Sequence, residues 1–543
     1  MRRAILRARV LTSAASWALL RCGPGAPATW CPAPSAEISE VQGNTAASPL
    51  LGQRVELNGV VSAAPARVGS RRGFFLQAQE ARSGIFIADG GPLPAPGDRV
   101  HVAGTVAELG GVTALAGLEL LQPCGRARLE PGEHELGSAA DTEGWQGSWL
   151  RSRQTWTLLD TTELWSRGRV RVSAQGRAYA AGHPLGAQTE LWTLEGMSAS
   201  VSPGRDDHFE RLRLGAQTSE LTAVLLSTSP PTLLATEPVE FRAPPPASLA
   251  PRAGALRIAA LNLDNYFLDP GERGAASPRE LARQRAKLVA ALSQLDADIL
   301  ALNELENQPP GASDSAADLL TALNAQLPPE LSYALSTASS APEGALRSAI
   351  AYRPRRVQAS GTAWFASAPG LTRAPLLQTF VAAGRSLTVA ALHLKSKVCD
   401  GGAQIVGPEG CGAETRRGEA RALGALVAQL RAEAHELLLI GDFNSDSREA
   451  PLLELQRAGL SDLFASVAPW DRYSYVFDGR ATQLDQALAT PALAAALVRA
   501  QIWHIDADEP EWLDYHLDNP PGSYRPDARR CSDHDPILVD LEP

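Results

Sequence analysis

Hydrophobic and polar residues alternate in short runs near the start of the chain. Between Ile38 and Gln122, apolar residues recur at every second position, and most runs end near glycine, proline or aspartate. A period of two predicts half-buried strands, and several such strands at regular spacing predict a small barrel or sandwich. The predicted strands are RVELNGVVSA, GFFLQAQ, SGIFIAD, PGDRVHVAGTVAEL and VTALAGLELL.

A second region, residues 123–240, has a weaker pattern. Runs such as RVRVSAQ and LTAVLLST are separated by polar turns, which predicts a further β module. The region ends at residues 241–254, where FRAPPPASLAPRAG is rich in proline. Such a composition predicts a stiff linker between the β regions and the rest of the chain.

After the linker, strands alternate with helices. Ser277-Pro278-Arg279-Glu280 is a helix-capping sequence with proline at the first helical position, and leucines then mark one helix face as far as Leu295. A second helix is predicted from about 414 to 432. Continuous apolar runs such as Leu437 to Ile440 predict strands that are buried on both faces. Residues 255–543 therefore predict an α/β domain with two sheets packed face to face and helices outside.

Length and charge narrow the possible functions. A chain of 543 residues is too long for one core, and 44% hydrophobic with 20% charged residues is typical of globular domains. The formal net charge of -10 repels a polyanion at long range. Contact with nucleic acid therefore requires a local basic patch.

The N-terminal residues 1–28 have the pattern of an export signal. Four arginines precede the modest apolar segment Val10 to Leu20, and Ala26-Pro27-Ala28 supplies a cleavage site. A lipoprotein site at Leu19-Leu20-Arg21-Cys22 is an alternative that Arg21 disfavours. We predict a secreted protein without membrane insertion; periplasmic and cell-surface locations are the alternatives.

Export permits disulfide bonds, and six cysteines are available. Cys399 and Cys411 close a glycine-rich loop that has little apolar material to hold it, and we predict that they are bonded. Cys31 and Cys124 bracket the first β region and are a second candidate pair, which would leave Cys531 free. The sequence leaves open the pairing of every cysteine outside the 399–411 loop.

Polar side chains follow the predicted strands of the last domain at the points where those strands end. Asp442 and Asn444 leave a buried strand together at GDFNS, and residues two apart in extended chain point to one face. Strand ends that share one rim of a sheet can bring distant residues into one pocket. The other residues at such positions are Asn262, Glu304, His393, Asp485, Asp533 and His534.

The motif GDFNS, followed by SDHDP before the last strand, resembles the endonuclease/exonuclease/phosphatase superfamily, the fold of deoxyribonuclease I and the abasic-site endonucleases. The strings ALNLDNYF, RQRAKLV, DADILALNELEN, VAALHLKSK and QLDQALA also fit that family. The resemblance covers residues 255–543 and implies a four-layer α/β sandwich. Residues 37–122 resemble the OB-fold domain that precedes the nuclease domain in a group of secreted bacterial nucleases.

The resemblance implies a metal site. Glu304 is the expected main ligand of a hard divalent cation, and Asn262 and Asp533 are expected to complete the set directly or through water. Mg²⁺ is the expected ion, with Mn²⁺ as the alternative and Ca²⁺ in a structural or supporting role. Glu306, which a regular strand would place on the same face as Glu304, is a rival ligand.

The resemblance also implies roles in proton transfer. His534, oriented by Asp485, is the expected base that activates water, and Asp442 is the competing candidate for that role. Asn444 is expected to hold a phosphate oxygen or the nucleophile, and His393 to act as general acid or to donate to the phosphate.

Two basic residues are expected to bind phosphate. Lys395 lies in HLKSK and Arg416 in the helix that follows Cys411, where a guanidinium could bind in a bidentate manner. In the first β region, Arg71, Arg72, Phe74 and Phe75 are candidates for contact with single-stranded nucleic acid, with a core position as the alternative for the two phenylalanines.

Two residues depart from the pattern of related secreted nucleases. Gly344 stands where they usually carry aspartate, which leaves the partner of His393 open, and Gln486 stands where they usually carry histidine. The sequence predicts a secreted, metal-dependent nuclease that hydrolyses DNA, with RNA also open and with no protein partner evident. The alternatives are a phosphatase or lipid phosphodiesterase of the same superfamily and, from another class, a non-catalytic surface protein that binds nucleic acid.

Overall fold

The computed structural model describes residues 30–542 except 79–82, 138–142, 198–211, 253, 272, 309–313, 339–341, 400–406 and 434. The predicted export signal, residues 1–28, and Cys22 lie outside the described residues. The chain divides into two compact units. The first contains the chain up to Glu130 together with Gly144–Ser148, and the second contains Pro131–Glu143 and the chain from Trp149 onward.

The first unit is a closed barrel with a short helix. Its strands pair in the order β1-β2-β3-β5-β4, and β1 also pairs with β4, so each strand has neighbours on both sides. The alternating apolar residues predicted from the sequence fill its interior. The elements are α1 (Ile38–Gln42), β1 (Arg54–Val68), β2 (Arg71–Gln77), β3 (Gly84–Ala88), β4 (Asp98–Glu108) and β5 (Thr113–Arg126).

Phe74 and Phe75 are fully buried, which confirms the core position expected as the alternative to base contact, so neither ring is available to stack on a base. One detail of the barrel differs from the prediction. The last strand runs four residues past the predicted end at Gln122, because β4 continues to pair with it as far as Arg126. The separate segment Gly144–Ser148 is tied to the barrel by Gln146, whose Oε1 accepts from the backbone of Thr113 at 3.0 Å.

The second unit begins with the predicted β module, whose main sheet has the order β12-β8-β9-β11-β14-β13-β7-β6. The elements of the β module are β6 (Gly132–Glu133), β7 (Trp149–Ser152), β8 (Trp156–Asp160), α2 (Leu164–Arg167), β9 (Val170–Ser173), β10 (Ala178–Tyr179), β11 (Trp192–Glu195), β12 (Gln217–Thr218), β13 (Leu221–Thr228) and β14 (Pro231–Ala235).

The proline-rich segment 241–254 packs along the α/β part instead of holding it at a distance. Trp503 Nε1 donates to Ala247 O at 3.0 Å, and Arg257 donates to Ala250 O at 2.8 Å.

The α/β part contains two six-stranded sheets. The first half of this part contains β15 (Leu256–Tyr266), α3 (Pro278–Leu295), β16 (Ile299–Glu306), α4 (Ser315–Asn324), β17 (Ala334–Leu335), β18 (Leu346–Tyr352), β19 (Gln358–Phe365), β20 (Leu376–Ala382) and β21 (Arg385–His393). The second half contains α5 (Ala413–Ala432), β22 (Leu437–Asp442), α6 (Ala450–Arg457), β23 (Ser461–Asp462), β24 (Tyr475–Phe477), β25 (Arg480–Thr482), β26 (Asp485–Ala489), α7 (Pro491–Ala494), β27 (Leu497–Ile502) and β28 (Ile537–Leu541).

The sheets have the orders β17-β18-β16-β15-β28-β27 and β19-β20-β21-β22-β26-β23. One buried cluster joins their inner faces, with Ile258 and Ile299 from one sheet and Val389 and Ile440 from the other. Helices α3 and α4 cover the outer face of the first sheet, and α5 and α6 cover that of the second. The expected order of helix, sheet, sheet and helix is therefore observed.

Disulfides join Cys399 to Cys411, as predicted, and also Cys31 to Cys124, with Cα atoms 5.1 and 5.4 Å apart. Cys531 is buried and unbonded. Across the described ranges, none of the helices combines the length and the apolar character needed to cross a bilayer.

Candidate active site

The polar strand ends meet where the central strands of the two sheets end. Asn262 lies opposite Asn303 in the parallel pair β15/β16, and His393 lies opposite Asp442 in the parallel pair β21/β22. Asp485 faces Asp442 from the antiparallel strand β26. The Asn262 amide donates to Asp442 Oδ2 at 3.1 Å and so joins the two sheets through their side chains.

Glu304 reaches this site because strand β16 is irregular there. Its backbone has φ 63°, and the pairing of β16 with β18 shifts between Leu302 and Leu305. Such a bulge re-aims a side chain. Glu304 Oε2 accepts from Asn265 N at 3.0 Å, whereas Glu306 accepts from Leu268 N at 2.7 Å. The rival carboxylate thus holds a neighbouring loop.

Asp442 is the central carboxylate of the site. Its Oδ1 accepts from Asn444 N at 2.7 Å, and its Oδ2 accepts from the Asn444 amide at 3.0 Å. Asn444 adopts a left-handed backbone, φ 47°, and also donates to Leu394 O at 3.2 Å. Burial raises the pKa of Asp442 to about 7 even though His534 opposes that rise.

His534 and Asp485 form a buried pair. His534 Nδ1 lies 2.7 Å from Asp485 Oδ2, and the same oxygen accepts from Ser474 Oγ at 2.7 Å. Burial lowers the pKa of His534, but the charges of Asp485, Asp533 and Asp442 outweigh it and raise this pKa well above its usual value. Because Nδ1 is held by the carboxylate, Nε2 is the ring nitrogen left for chemistry.

His393 has the opposite electrostatic environment. Its Nε2 lies 3.4 Å from Asp442 Oδ2 and 3.7 Å from Glu304 Oε1. Burial, with the positive charges of Arg373 and His534, lowers the pKa of His393 well below its usual value. Two imidazoles in one site are therefore biased toward different protonation states.

Among the residues that the structure describes, two groups of side chains could hold a metal ion, and both contain Asp442. One adds Glu304 and His393, and the other adds Asp485 and His534; within each group the ligand atoms lie within 4.8 Å of one another. Asp533 is in neither group but, after burial, is the main cause of the raised pKa of Glu304. Crowded carboxylates of this kind fit a hard divalent cation, which would relieve their repulsion.

The loop that carries Asp533 and His534 is held by two buried carboxylates that sequence reasoning did not assign. Asp535 Oδ1 accepts from three backbone amides, of Ile505, Asp506 and Ala507, at 2.8 to 3.0 Å. Asp506 in turn accepts from Cys531 N at 2.6 Å. Asp535, the second aspartate of SDHDP, was the sequence signal for this support, because a buried carboxylate needs hydrogen-bond donors around it.

Asp264 and Tyr475 were also missed. The backbone N of Asp264 donates to Asn262 Oδ1 at 3.1 Å, and burial, with the charges of Asp533 and Glu304, raises the pKa of Asp264 to about 7. The ring of Tyr475 packs against that of His534 with centroids 4.7 Å apart. The only sequence signal for Asp264 was its spacing of two from Asn262, and Tyr475 carried none.

The two expected phosphate ligands have different positions. Arg416 is fully buried, and its guanidinium donates to the carbonyls of Cys411 and Glu409 at 2.6 Å. Its terminal nitrogens therefore hold the loop closed by Cys399 and Cys411, which corrects the expected phosphate role. Lys395 is half-buried beside this loop, and its backbone N donates to Glu419 at 2.9 Å.

The two departures from the nuclease pattern are structurally accommodated. Gln486 is buried, and its amide donates to Ser445 O at 3.0 Å and to Gln483 O at 2.7 Å, so it supports the GDFNS turn. Gly344 has φ 96°, a backbone conformation that suits glycine. His393 has Asp442 and Glu304 as neighbours instead of a residue at 344.

A sequence model of the Endonuclease/Exonuclease/phosphatase family matches residues 259–534. A search of curated proteins finds no match. Among solved structures, TDP2 from D. rerio with a single-strand DNA product is 16% identical, with 53% of this chain and 100% of that chain covered and a TM-score of 0.36. A mannosyl-6-phosphatase from Bacteroides thetaiotaomicron is 18% identical (53% and 99% covered, TM-score 0.37), and the human Nocturnin catalytic domain is 16% identical (53% and 94%, TM-score 0.34).

Proposed function

The chain belongs to the endonuclease/exonuclease/phosphatase family, whose members hydrolyse phosphoester bonds, and we propose that it is a metal-dependent nuclease acting on DNA. The observation that carries the proposal is the arrangement of two histidine–carboxylate groups around Asp442. Hydrolysis of a phosphodiester requires neutralisation of charge, activation of water and protonation of the leaving oxygen. Carboxylates and two differently biased histidines can provide all three.

Glu304 would be the main ligand of the divalent cation, Mg²⁺ or Mn²⁺, with Asn262 and Asp533 completing the set directly or through water. When bound, the cation would neutralise charge that develops on the phosphate. Asn444 would orient a phosphate oxygen or the attacking water, and Lys395 would contribute positive charge from the neighbouring loop.

The two histidines divide the proton transfers. His534 is the proposed base and would take a proton from water at Nε2, because Asp485 holds its Nδ1 and stabilises the imidazolium that forms. Against the effect of burial, the charges of Asp533 and Asp442 raise the pKa of His534 and favour the protonated ring, and a bound cation would offset them and free Nε2 for this role. His393, whose lowered pKa favours the neutral ring, would donate a hydrogen bond to the leaving oxygen. Asp442 is the competing base, since it lies between the two histidines and accepts hydrogen bonds at both oxygens.

The choice of a nuclease over a phosphatase is supported by the barrel in the same chain. Its strand order, β1-β2-β3-β5-β4 with closure between β1 and β4, supports an OB-fold, a class that often binds oligonucleotides. Arg71 and Arg72 are exposed on β2 and are the candidates for phosphate contact. We also propose that residues 1–28 direct export, which N-terminal sequencing of protein recovered from the medium would test.

The test is hydrolysis of plasmid DNA, RNA, a phosphomonoester and a phospholipid panel, with and without chelator. Glu304→Gln should lower chelator-sensitive cleavage of DNA by about 10²-fold or more, because it removes a charge that holds the cation. Glu306→Gln is the matched control and should retain activity. Activity confined to monoesters or phospholipids, or unaffected by chelator, would reject the nuclease proposal.

The histidine roles can be separated by the leaving group. His534→Ala and His393→Ala should each lower DNA cleavage by about 10²- to 10⁴-fold, the usual contribution of a positioned proton transfer. A nitrophenyl phosphodiester needs no proton on departure, so it should rescue His393→Ala and leave His534→Ala impaired. Equal rescue of both variants would instead favour Asp442 as the base.

A further inference from the structure

A cleft of about 520 Å³ lies between the β module and the α/β part of the second unit. Asp160, Arg171 and Thr193 of the module line one wall, and Phe477 of β24 lies on the other. The cleft reaches the candidate active site at Asp533, which is also among its lining residues. The module wall lies outside the residues matched by the family model, so it is a feature added to the family domain.

The wall that carries Phe477 is fixed by the β module. Strand β10 pairs in parallel with β25, and Ala180 N donates to Ala481 O at 2.9 Å, so the hairpin β24–β25 becomes part of a three-stranded sheet. At the hairpin turn, a Cβ on Gly479 would lie 3.3 Å from Leu159 Cβ. The close approach shows that the hairpin turn is packed directly on the module.

Phe477 is 65% exposed on β24, the edge strand of the three-stranded sheet, which pairs with the central strand β25. An exposed ring in a concave site suits a planar partner, because a base can stack on it. On the same hairpin, Tyr475 packs on His534, so a group stacked on Phe477 would lie close to the reacting phosphate.

The charge of the lining argues against a second phosphate in the cleft. Five carboxylates, of Asp160, Glu163, Asp478, Glu511 and Asp533, face three guanidinium groups, of Arg169, Arg171 and Arg530. Two of these arginines are already paired, Arg169 with Glu195 at 2.7 Å and Arg171 with Asp478 at 3.3 Å. An excess of carboxylates accepts hydrogen bonds from N–H and O–H groups but repels a phosphate.

We propose that this cleft is a nucleoside subsite: the base next to the scissile phosphate stacks on Phe477, and its N–H groups or the sugar hydroxyls are bound by the carboxylate-rich lining. The inference rests on the proposed nuclease function and deepens it. The β module then forms part of the substrate site. The cleft should prefer a nucleoside that carries no further phosphate on the side that enters it.

The test compares KM values for three nitrophenyl diesters: methyl p-nitrophenyl phosphate, thymidine 5′-(p-nitrophenyl phosphate) and thymidine 3′-(p-nitrophenyl phosphate). The wild-type protein should bind at least one thymidine ester more tightly than the methyl ester. Phe477→Ala should raise that KM by about 5- to 100-fold, from the usual strength of base stacking, and leave the KM of the methyl ester unchanged. Phe477→Tyr should restore binding.

Trp470→Ala is the matched control, because Trp470 is 64% exposed but does not line the cleft. Its KM values should equal those of the wild type. A fourth substrate, the preferred thymidine ester with an added phosphate on its other hydroxyl, should bind more weakly than the unphosphorylated ester, and Asp478→Asn should reduce that difference.

Equal effects of Phe477→Ala on the methyl and thymidine esters would overturn the subsite while the nuclease proposal stands. Tighter binding of the additionally phosphorylated ester would also overturn it. If wild-type protein hydrolyses the methyl ester but shows no preference for either thymidine ester, the subsite again fails alone. If no diester is hydrolysed with Mg²⁺ or Mn²⁺ present, both proposals fail.

Discussion

The barrel and the β module are both built mainly from strands that the sequence pattern predicts, yet they satisfy the backbone polar groups of those strands in different ways. Barrel strands close on themselves, and the barrel forms a compact unit with its own apolar core. The module sheet is open, with β12 and β6 at its edges, and it belongs to the same compact unit as the α/β part. Closure removes free strand edges, whereas an open sheet must use other contacts.

The β module contacts the α/β part through buried ion pairs. Arg177 binds Asp508 through two hydrogen bonds of 2.8 and 3.1 Å, and Tyr473 donates to the same carboxylate at 2.8 Å. Arg213 pairs with Glu509 at 2.8 Å. The two carboxylates, of Asp508 and Glu509, directly follow residues 505–507, whose backbone amides donate to Asp535.

The connection continues toward His534, the proposed base. Tyr473 stacks on His504 with centroids 4.0 Å apart, and His504 Nδ1 lies 2.8 Å from Asp535 Oδ2. Asp535 is the residue after His534. Similar sequence patterns therefore correspond to two different structures. The barrel is a compact unit by itself, whereas the β module supports the candidate active site.

The largest stability effect is expected in the barrel, without loss of hydrolysis. Cys31 and Cys124 are 93 residues apart, and a closure of that size is worth about 4.5 kcal/mol on the chain-entropy model. Cys31→Ser with Cys124→Ser should lower the free energy of unfolding of the barrel by about that amount. Calorimetry would follow the barrel transition, and chelator-sensitive diester hydrolysis should be unchanged.

The disulfide of the α/β part is the control for that experiment. Cys399 and Cys411 are only 12 residues apart, so replacing both by serine should cost less, about 3 kcal/mol. Because this loop lies beside Lys395, turnover should fall. A loss of turnover in the barrel variant equal to that in the loop variant would contradict the separation of the two units.

Asp508→Ala should be slightly less destabilising than the loss of the Cys31–Cys124 disulfide but should affect catalysis. Removing one partner of a buried ion pair costs about 4 kcal/mol, since Arg177 and Arg213 are left without their shared carboxylate. Chemical denaturation should show the loss in the second unit, and turnover should fall because Asp508 follows the segment 505–507, whose amides hold Asp535.

The double variant Arg177→Met with Asp508→Leu should recover part of that stability. Arg213 keeps Glu509, so no charge is left unpaired, but Tyr473 still loses its acceptor. Unchanged turnover in Asp508→Ala would break the comparison.

Ala180→Pro should have the smallest effect on stability and a selective effect on binding. Proline removes the backbone N–H that donates to Ala481 O, a loss of about 1 kcal/mol for one hydrogen bond plus any strain from the ring. The hairpin with Phe477 would loosen, so KM for nucleoside-bearing diesters should rise more than KM for methyl p-nitrophenyl phosphate. A uniform decrease in kcat with unchanged KM would show that β10 does not position the hairpin.

Much of the fold and most of the site residues could be predicted because their signals are local. Four consecutive apolar residues before Gly441 predicted strand β22, and the capping sequence at Ser277 predicted the start of α3 at Pro278. Asp442, His393 and Asp485 were predicted together because each stands where a buried strand ends or begins. The structure brings all three to one place.

Other features could not be predicted because they depend on distant parts of the chain. A regular strand would put Glu304 and Glu306 on one face, and only the bulge in β16 separates them. Arg416 has the same sequence signature whether it binds phosphate or loop carbonyls, and burial decided between these roles.

By itself, the sequence determined which residue types occur at strand ends and in what order, since the period of apolar positions controls burial over a few residues. Only the tertiary structure decided which of these residues share a site, which carboxylates are buried deeply enough for their pKa to rise, and that the β module borders the cleft beside Asp533. The physical reason is that desolvation and long-range pairing depend on every element packed around a residue, and those elements are far apart in the sequence.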